Sequence, residues 1–173
     1  MKMKAALKHF FLFLLTTFML SQAVSAEIQG LQDFKGKPQK LENFTGKGKW
    51  LVVMMWASDC HVCNREAHQY VDFHLVHSDK DATVLGISLD GEARKGAAKE
   101  FIKKHNIDFP NLIGEPEQVS EIYAQLTGQY FAGTPTFLVF SPKGELKAAQ
   151  PGAVPAEIIE NFISSNKVVK TSK

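Results

Sequence analysis

Apolar residues run without a break through Trp50-Leu51-Val52-Val53-Met54-Met55-Trp56. A strand with one wet face alternates apolar and polar residues, so a consecutive run predicts a strand buried on both faces. Residues 83–89 and 136–140 read as two further apolar strands. Between these runs the period changes. Ala67, Tyr70, Val71 and His74 recur at i, i+3, i+4 and i+7, which predicts a helix from 61 to about 78. Residues 92–104 predict a second helix, with Asn106 placed to end it in a left-handed turn. Residues 109–113 predict a short extended segment. Pro116 suits the first turn of a helix reaching 127, with Gly128 just beyond its end. Ser141-Pro142-Lys143-Gly144 turns the third strand back into residues 145–149, and Pro155 opens a last helix striped by Ile158, Ile159, Phe162 and Ile163. Near the front, Gly36-Lys37-Pro38 reads as a turn between two short strands. The order β-β-β-α-β-α-β-α-β-β-α predicts an α/β fold, a mixed central sheet with helices on both faces.

The ends change how the charge is read. Lys2, Lys4 and Lys8 precede an apolar stretch from Phe10 to Leu20, and Val24-Ser25-Ala26 offers small residues for cleavage before Glu27. That pattern predicts a secretory signal peptide over 1–26 and export to the periplasm. The alternative is an uncleaved N-terminus that anchors the chain to the inner membrane. The domain is then expected over 27–166, with a flexible basic tail over 167–173. Three of the 20 basic residues fall in the leader, so 17 remain against 18 acidic ones. The domain is near neutral, and nothing in it predicts a nucleic-acid surface.

Export bears on the two cysteines, Cys60 and Cys63. An exported pair can be a structural staple. The loop that Cys60-His61-Val62-Cys63 closes is so short that cross-linking it restricts the unfolded chain little, which favours a reactive pair. The pair also stands where a strand gives way to a helix. Helix-terminal N–H groups and the macrodipole favour a thiolate there. Cys60 at the helix start is the candidate nucleophile, and Cys63, one turn in, the resolving thiol. His61 is a candidate for tuning the thiolate, or a solvated spacer. Glu66 shares a helix face with Cys63, and reads either as a proton relay or as a first-turn glutamate favoured by the dipole. Pro135, in Gly133-Thr134-Pro135-Thr136, opens a strand. It is a structural feature or, if cis, one that exposes the Thr134 backbone to a substrate chain.

These segments together resemble the thioredoxin superfamily, in particular the exported TlpA/ResA-type group related to the cytochrome c maturation reductases. Residues 36–47 are similar to its N-terminal hairpin, residues 50–63 to its active-site strand and loop, residues 106–127 to its inserted unit, and residues 133–139 to its cis-proline loop. The resemblance implies a thioredoxin-like fold and a thiol–disulfide oxidoreductase that needs no cofactor beyond its own Cys60–Cys63 disulfide. It implies protein thiol or disulfide substrates, cytochrome c apoprotein among them, and a membrane electron donor of the DsbD type. Glu66 stands where ResA-type proteins carry a functional glutamate. Trp56, Thr134 and Pro135 are the expected substrate-contacting residues. Four positions depart from the pattern. Asp59 replaces a usual tryptophan and should oppose thiolate formation at Cys60. Met54 stands where thioredoxin has a buried aspartate, the dipeptide between the cysteines is His-Val, and Thr134 resembles DsbC-type isomerases. Reduction is the favoured direction, with an oxidase or isomerase role as the alternative.

Other chemistries fit less well. His74 and His77 at i, i+3 have no third metal ligand at a matching spacing, and no metal site is expected. A reduced dithiol could hold Cu(I), although copper-delivering relatives carry CxxxC. The insertion also resembles peroxiredoxins, whose attacking cysteine sits in a PxxxTxxC context that is missing around Cys60.

Overall fold

The computed structural model describes residues 30–168. The predicted signal peptide over 1–26 lies outside them. The elements, in chain order, are β1 (Leu31–Asp33), β2 (Pro38–Gln39), a 3-10 turn (Leu41–Asn43), β3 (Trp50–Trp56), α1 (His61–His77), β4 (Ala82–Ser88), α2 (Lys95–Lys104), β5 (Asn111–Ile113), α3 (Pro116–Thr127), β6 (Thr136–Phe140), β7 (Leu146–Pro151) and α4 (Ala156–Val168). This is the expected order. Helix α4 runs through Val168, two residues into the tail expected over 167–173, and residues 169–173 lie outside the described residues.

Seven strands form one mixed sheet in the order β2-β1-β5-β4-β3-β6-β7. The apolar run β3 lies inside it, parallel to β4 from Trp50↔Ala82 to Trp56↔Ser88 and antiparallel to β6 from Leu51↔Phe140 to Met55↔Thr136. All seven β3 side chains are buried. Alternate residues point to opposite faces. Trp50, Val52, Met54 and Trp56 pack beneath α1, α2 and α4, whereas Leu51, Val53 and Met55 pack with Leu85, Ile87 and the α3 residues Val119 and Tyr123. Full burial of each large apolar side chain contributes about 1.5–3 kcal/mol, so both faces of β3 anchor the domain. Pro38 occupies the outermost strand, where a missing N–H costs no ladder bond.

Helix termini follow the expected chemistry, with one exception. Pro116 is the first residue of α3, Glu115 and Gln118 form a reciprocal capping box, and Gly128 closes the helix at φ 69°. Asn106 takes φ 51°, as expected after α2. Helix α2, however, starts at Lys95 and not at 92. The Glu92 N–H donates to Glu115 Oε1 at 2.9 Å, and the Gly91 N–H to the Gly114 carbonyl at 3.1 Å. These bonds hold residues 91–94 as a turn against the start of α3.

Candidate active site

The β3 strand ends at Trp56, and four residues later Cys60 caps α1. Its backbone is extended (φ −70°, ψ 108°), and its Sγ accepts the Cys63 N–H at 3.0 Å. This is the N-cap arrangement in which a sulfur replaces the usual side-chain oxygen. Cys60 is half-buried, Cys63 is fully buried, and the two are joined in a disulfide. Once the bond is reduced, the same N–H and the positive end of α1 favour a thiolate on Cys60.

The cis Thr134–Pro135 peptide lies at the same end of the sheet. The register explains why. Met55 pairs with Thr136, so the last residues of β3 and the first of β6 are neighbours. The loops extending from them emerge side by side. Pro135 is itself held by the Gly152 N–H on its carbonyl at 2.8 Å, and the Thr136 hydroxyl donates to the Gly133 carbonyl at 2.6 Å.

Two polar clamps hold the CxxC loop, and neither was visible in the sequence. In the first, the buried Asp90 accepts the Ser58 N–H at 2.9 Å and the Ser58 and Ser88 hydroxyls at 2.7 and 2.8 Å. In the second, the Asn64 amide donates to the Ser58 and Cys60 carbonyls at 3.1 and 3.0 Å. Its Oδ1 accepts from Lys104 Nζ at 2.9 Å and lies 3.0 Å from His105 Nε2. Burial, Lys104 and His68 together push His105 below the ordinary imidazole range. Arg94 ties the first clamp to Asp59, donating to Asp59 Oδ2 at 2.6 Å and to Ser58 Oγ at 3.1 Å. This guanidinium holds the Asp59 carboxyl below its ordinary value. Asp59, expected to oppose the thiolate as a lone acid, is therefore an ion-paired one. Ser58, Asp59, Asn64, Arg94 and Lys104 border a shallow groove between the CxxC loop and α2.

The remaining predicted residues divide between the site and the core. His61 is exposed on the first turn of α1. Glu66 is half-buried one turn beyond Cys63 and accepts from Gln69 Nε2 at 2.8 Å; Gln69 in turn accepts the Ala156 N–H at 3.2 Å. Thr134 is half-buried in the loop before β6. Trp56, expected to contact substrate, is fully buried. It stacks on Phe101 with centroids 4.2 Å apart and donates its indole N–H to Asn111 at 3.1 Å. Its place is under the loop, because the side-chain alternation that buries Met54 on this face also buries Trp56. His74 accepts the Val84 N–H on Nδ1 at 3.2 Å, and burial pushes it below the imidazole range. His77 lies 2.9 Å from Asp81 and 3.6 Å from Glu160.

Comparison with known proteins agrees with this geometry. The AhpC/TSA family matches residues 21–149. The thiol–disulfide oxidoreductase ResA of Geobacillus kaustophilus is 26% identical over 137 residues, covering 79% of this chain and 73% of that protein. The peroxiredoxin Bcp of Bacillus subtilis is 30% identical over 89 residues, 51% of this chain and 54% of that one. The crystal structure of a DsbF homologue from Corynebacterium diphtheriae superposes with a TM-score of 0.65 at 24% identity, covering 79% of this chain and 85% of that one, a likeness of fold. The chain belongs to the AhpC/TSA family and is a thioredoxin-like thiol–disulfide redox enzyme.

Proposed function

We propose that this protein exchanges disulfides with protein substrates in the bacterial periplasm, in the reducing direction. The observation that carries the reading is the pairing of a half-buried Cys60 at the start of α1 with a fully buried Cys63 one turn behind it. In the reduced protein, the Cys60 thiolate attacks one sulfur of a substrate disulfide. A Cys60–substrate disulfide forms and the other substrate sulfur leaves as a thiolate. Cys63 then attacks the Cys60 sulfur, re-forming the Cys60–Cys63 bond and releasing the second substrate thiol. Two electrons pass to the substrate, and Cys63 gives up one proton. Glu66, a turn beyond Cys63, is the candidate to accept it, with His61 as a candidate for tuning Cys60. Thr134 and Pro135 are the candidates to receive the substrate backbone, a reading supported by the β3–β6 register, which brings their loop to the Cys60 end of the sheet. A membrane donor of the DsbD type would reduce the pair again, and cytochrome c apoprotein is a candidate substrate.

Cys63→Ala should strand substrate on Cys60 as a mixed disulfide that reducing agent releases, and Cys60→Ser should abolish both the adduct and insulin reduction. An undiminished insulin reduction by Cys60→Ser would remove the reading. The potential of the pair decides direction, since about −270 mV is thioredoxin-like and about −120 mV DsbA-like. Similarity to Bcp favours a second reading, peroxide reduction at Cys60. Peroxide consumption by the reduced protein, lost in Cys60→Ser, would establish it.

A further inference from the structure

We propose that Arg94 is a positioning residue that sets the reactivity of Cys60, by holding and offsetting the Asp59 carboxylate immediately before it. The proposal rests on Cys60 being the attacking thiol. Asp59 places a negative charge one residue from the sulfur, where it opposes formation of a second one. The opposing cation comes from a distant part of the chain. Arg94 lies in the turn between β4 and α2, and its three nitrogens face three partners: Asp59 Oδ2 at 2.6 Å, Ser58 Oγ at 3.1 Å and Asp90 Oδ1 at 3.4 Å.

This fork divides into an anchor and a working end. The Asp90 side chain is 1% exposed, and the Ser58 N–H and the hydroxyls of Ser58 and Ser88 fix it. Asp90 already grips the loop through Ser58, so the loop does not depend on Arg94 for its shape. The outer nitrogen of Arg94 reaches past this anchor to an aspartate that is itself 62% exposed. A pair at that depth adds little to folding stability. What it changes is the field at the neighbouring sulfur. Arginine suits the position because its planar fork can meet two carboxylates and a hydroxyl at once, which a lysine ammonium cannot do in one plane. Asp59 is held below the carboxylate range, so it stays negative wherever Cys60 titrates.

The test uses the full chain with Cys63→Ala, so that Cys60 is the one thiol, and follows its alkylation by iodoacetamide across pH at low salt. Arg94→Gln should lower the rate at pH 7 by about three- to tenfold, the order expected for uncovering one unit charge on the adjacent residue at a wet surface. Asp59→Asn should raise the rate, and Asp59→Asn in the Arg94→Gln chain should restore it to within about twofold of the parent. The Arg94→Gln deficit should shrink at 1 M salt. His61, Lys104 and His105 also stand near the loop, and they are common to every chain compared. Equal losses in Arg94→Gln and the double variant, or an unchanged rate in Asp59→Asn, would overturn the proposal. Asp59→Asn changes only an exposed side chain, so it decides the matter even if Arg94→Gln folds poorly. Mixed-disulfide capture reports on the attacking role of Cys60 itself, and it is independent of these rate ratios.

Discussion

The two faces of the sheet are equally dry but differently built. On the face under α1, α2 and α4, two of the buried aromatic side chains have polar partners. Tyr70 donates to the Val154 carbonyl at 2.6 Å while stacking on Phe137, and the Trp56 indole donates to Asn111. On the α3 face, Tyr123 is as deeply buried as Tyr70, yet its hydroxyl has no hydrogen-bond partner among the described residues. A buried hydroxyl without a partner costs about 1–3 kcal/mol relative to a satisfied one. The face that bears the cysteines is thus fixed by direction as well as by packing. On the other face, Tyr123 contributes volume without that direction.

Substitutions test that contrast. The largest effect is expected at Gly86, on β4. A Cβ there would stand 2.8 Å from Asn111 Cγ and 2.9 Å from the Trp56 indole nitrogen. Gly86→Ala should force that hydrogen bond apart and cost about 1–3 kcal/mol in urea unfolding. Next comes Tyr70→Phe, which removes one hydroxyl and orphans the Val154 carbonyl, at about 1–2 kcal/mol. A cost near zero would break the comparison, since Tyr70 would then count only as volume. His74 should act through pH. Its value lies below 6.5 in the fold, so the unfolded chain binds the extra proton; stability is complete above pH 6.5 and falls as the solution is acidified below it. His74→Gln should flatten that slope, by less than about 1 kcal/mol at pH 5 because the site is only half-buried. The smallest change is expected from Tyr123→Phe, neutral or stabilising by up to about 1 kcal/mol. Clear destabilisation there would mean that the hydroxyl has a partner after all.

The order of elements was legible because its signals are local. The unbroken Trp50-Leu51-Val52-Val53-Met54-Met55-Trp56 run declared a strand buried on both sides, and Pro116 and Gly128 marked the limits of a helix. The cysteines and Pro135 were legible as a motif, and the register of β3 with β6 places them at one end of the sheet. The clamps were not legible. Asp90 meets Ser58 across 32 positions and Asn64 meets His105 across 41, and no periodicity or short motif records such a pairing. Trp56 was misplaced for a related reason. Nearness to Cys60 in sequence suggested a surface role, while the alternation of β3 turns the ring inward.

The turn carrying Arg94 has a second support. On one side it reaches Asp59 and Ser58; on the other, Glu92 gives its N–H to Glu115, the residue that caps α3. Gly91 leaves the space into which that same glutamate fits. The inserted unit is therefore not a detachable module. Trimming the chain toward a minimal version of this fold would remove the far abutment of the loop beside the cysteines, so the insertion and the disulfide would have to be redesigned together.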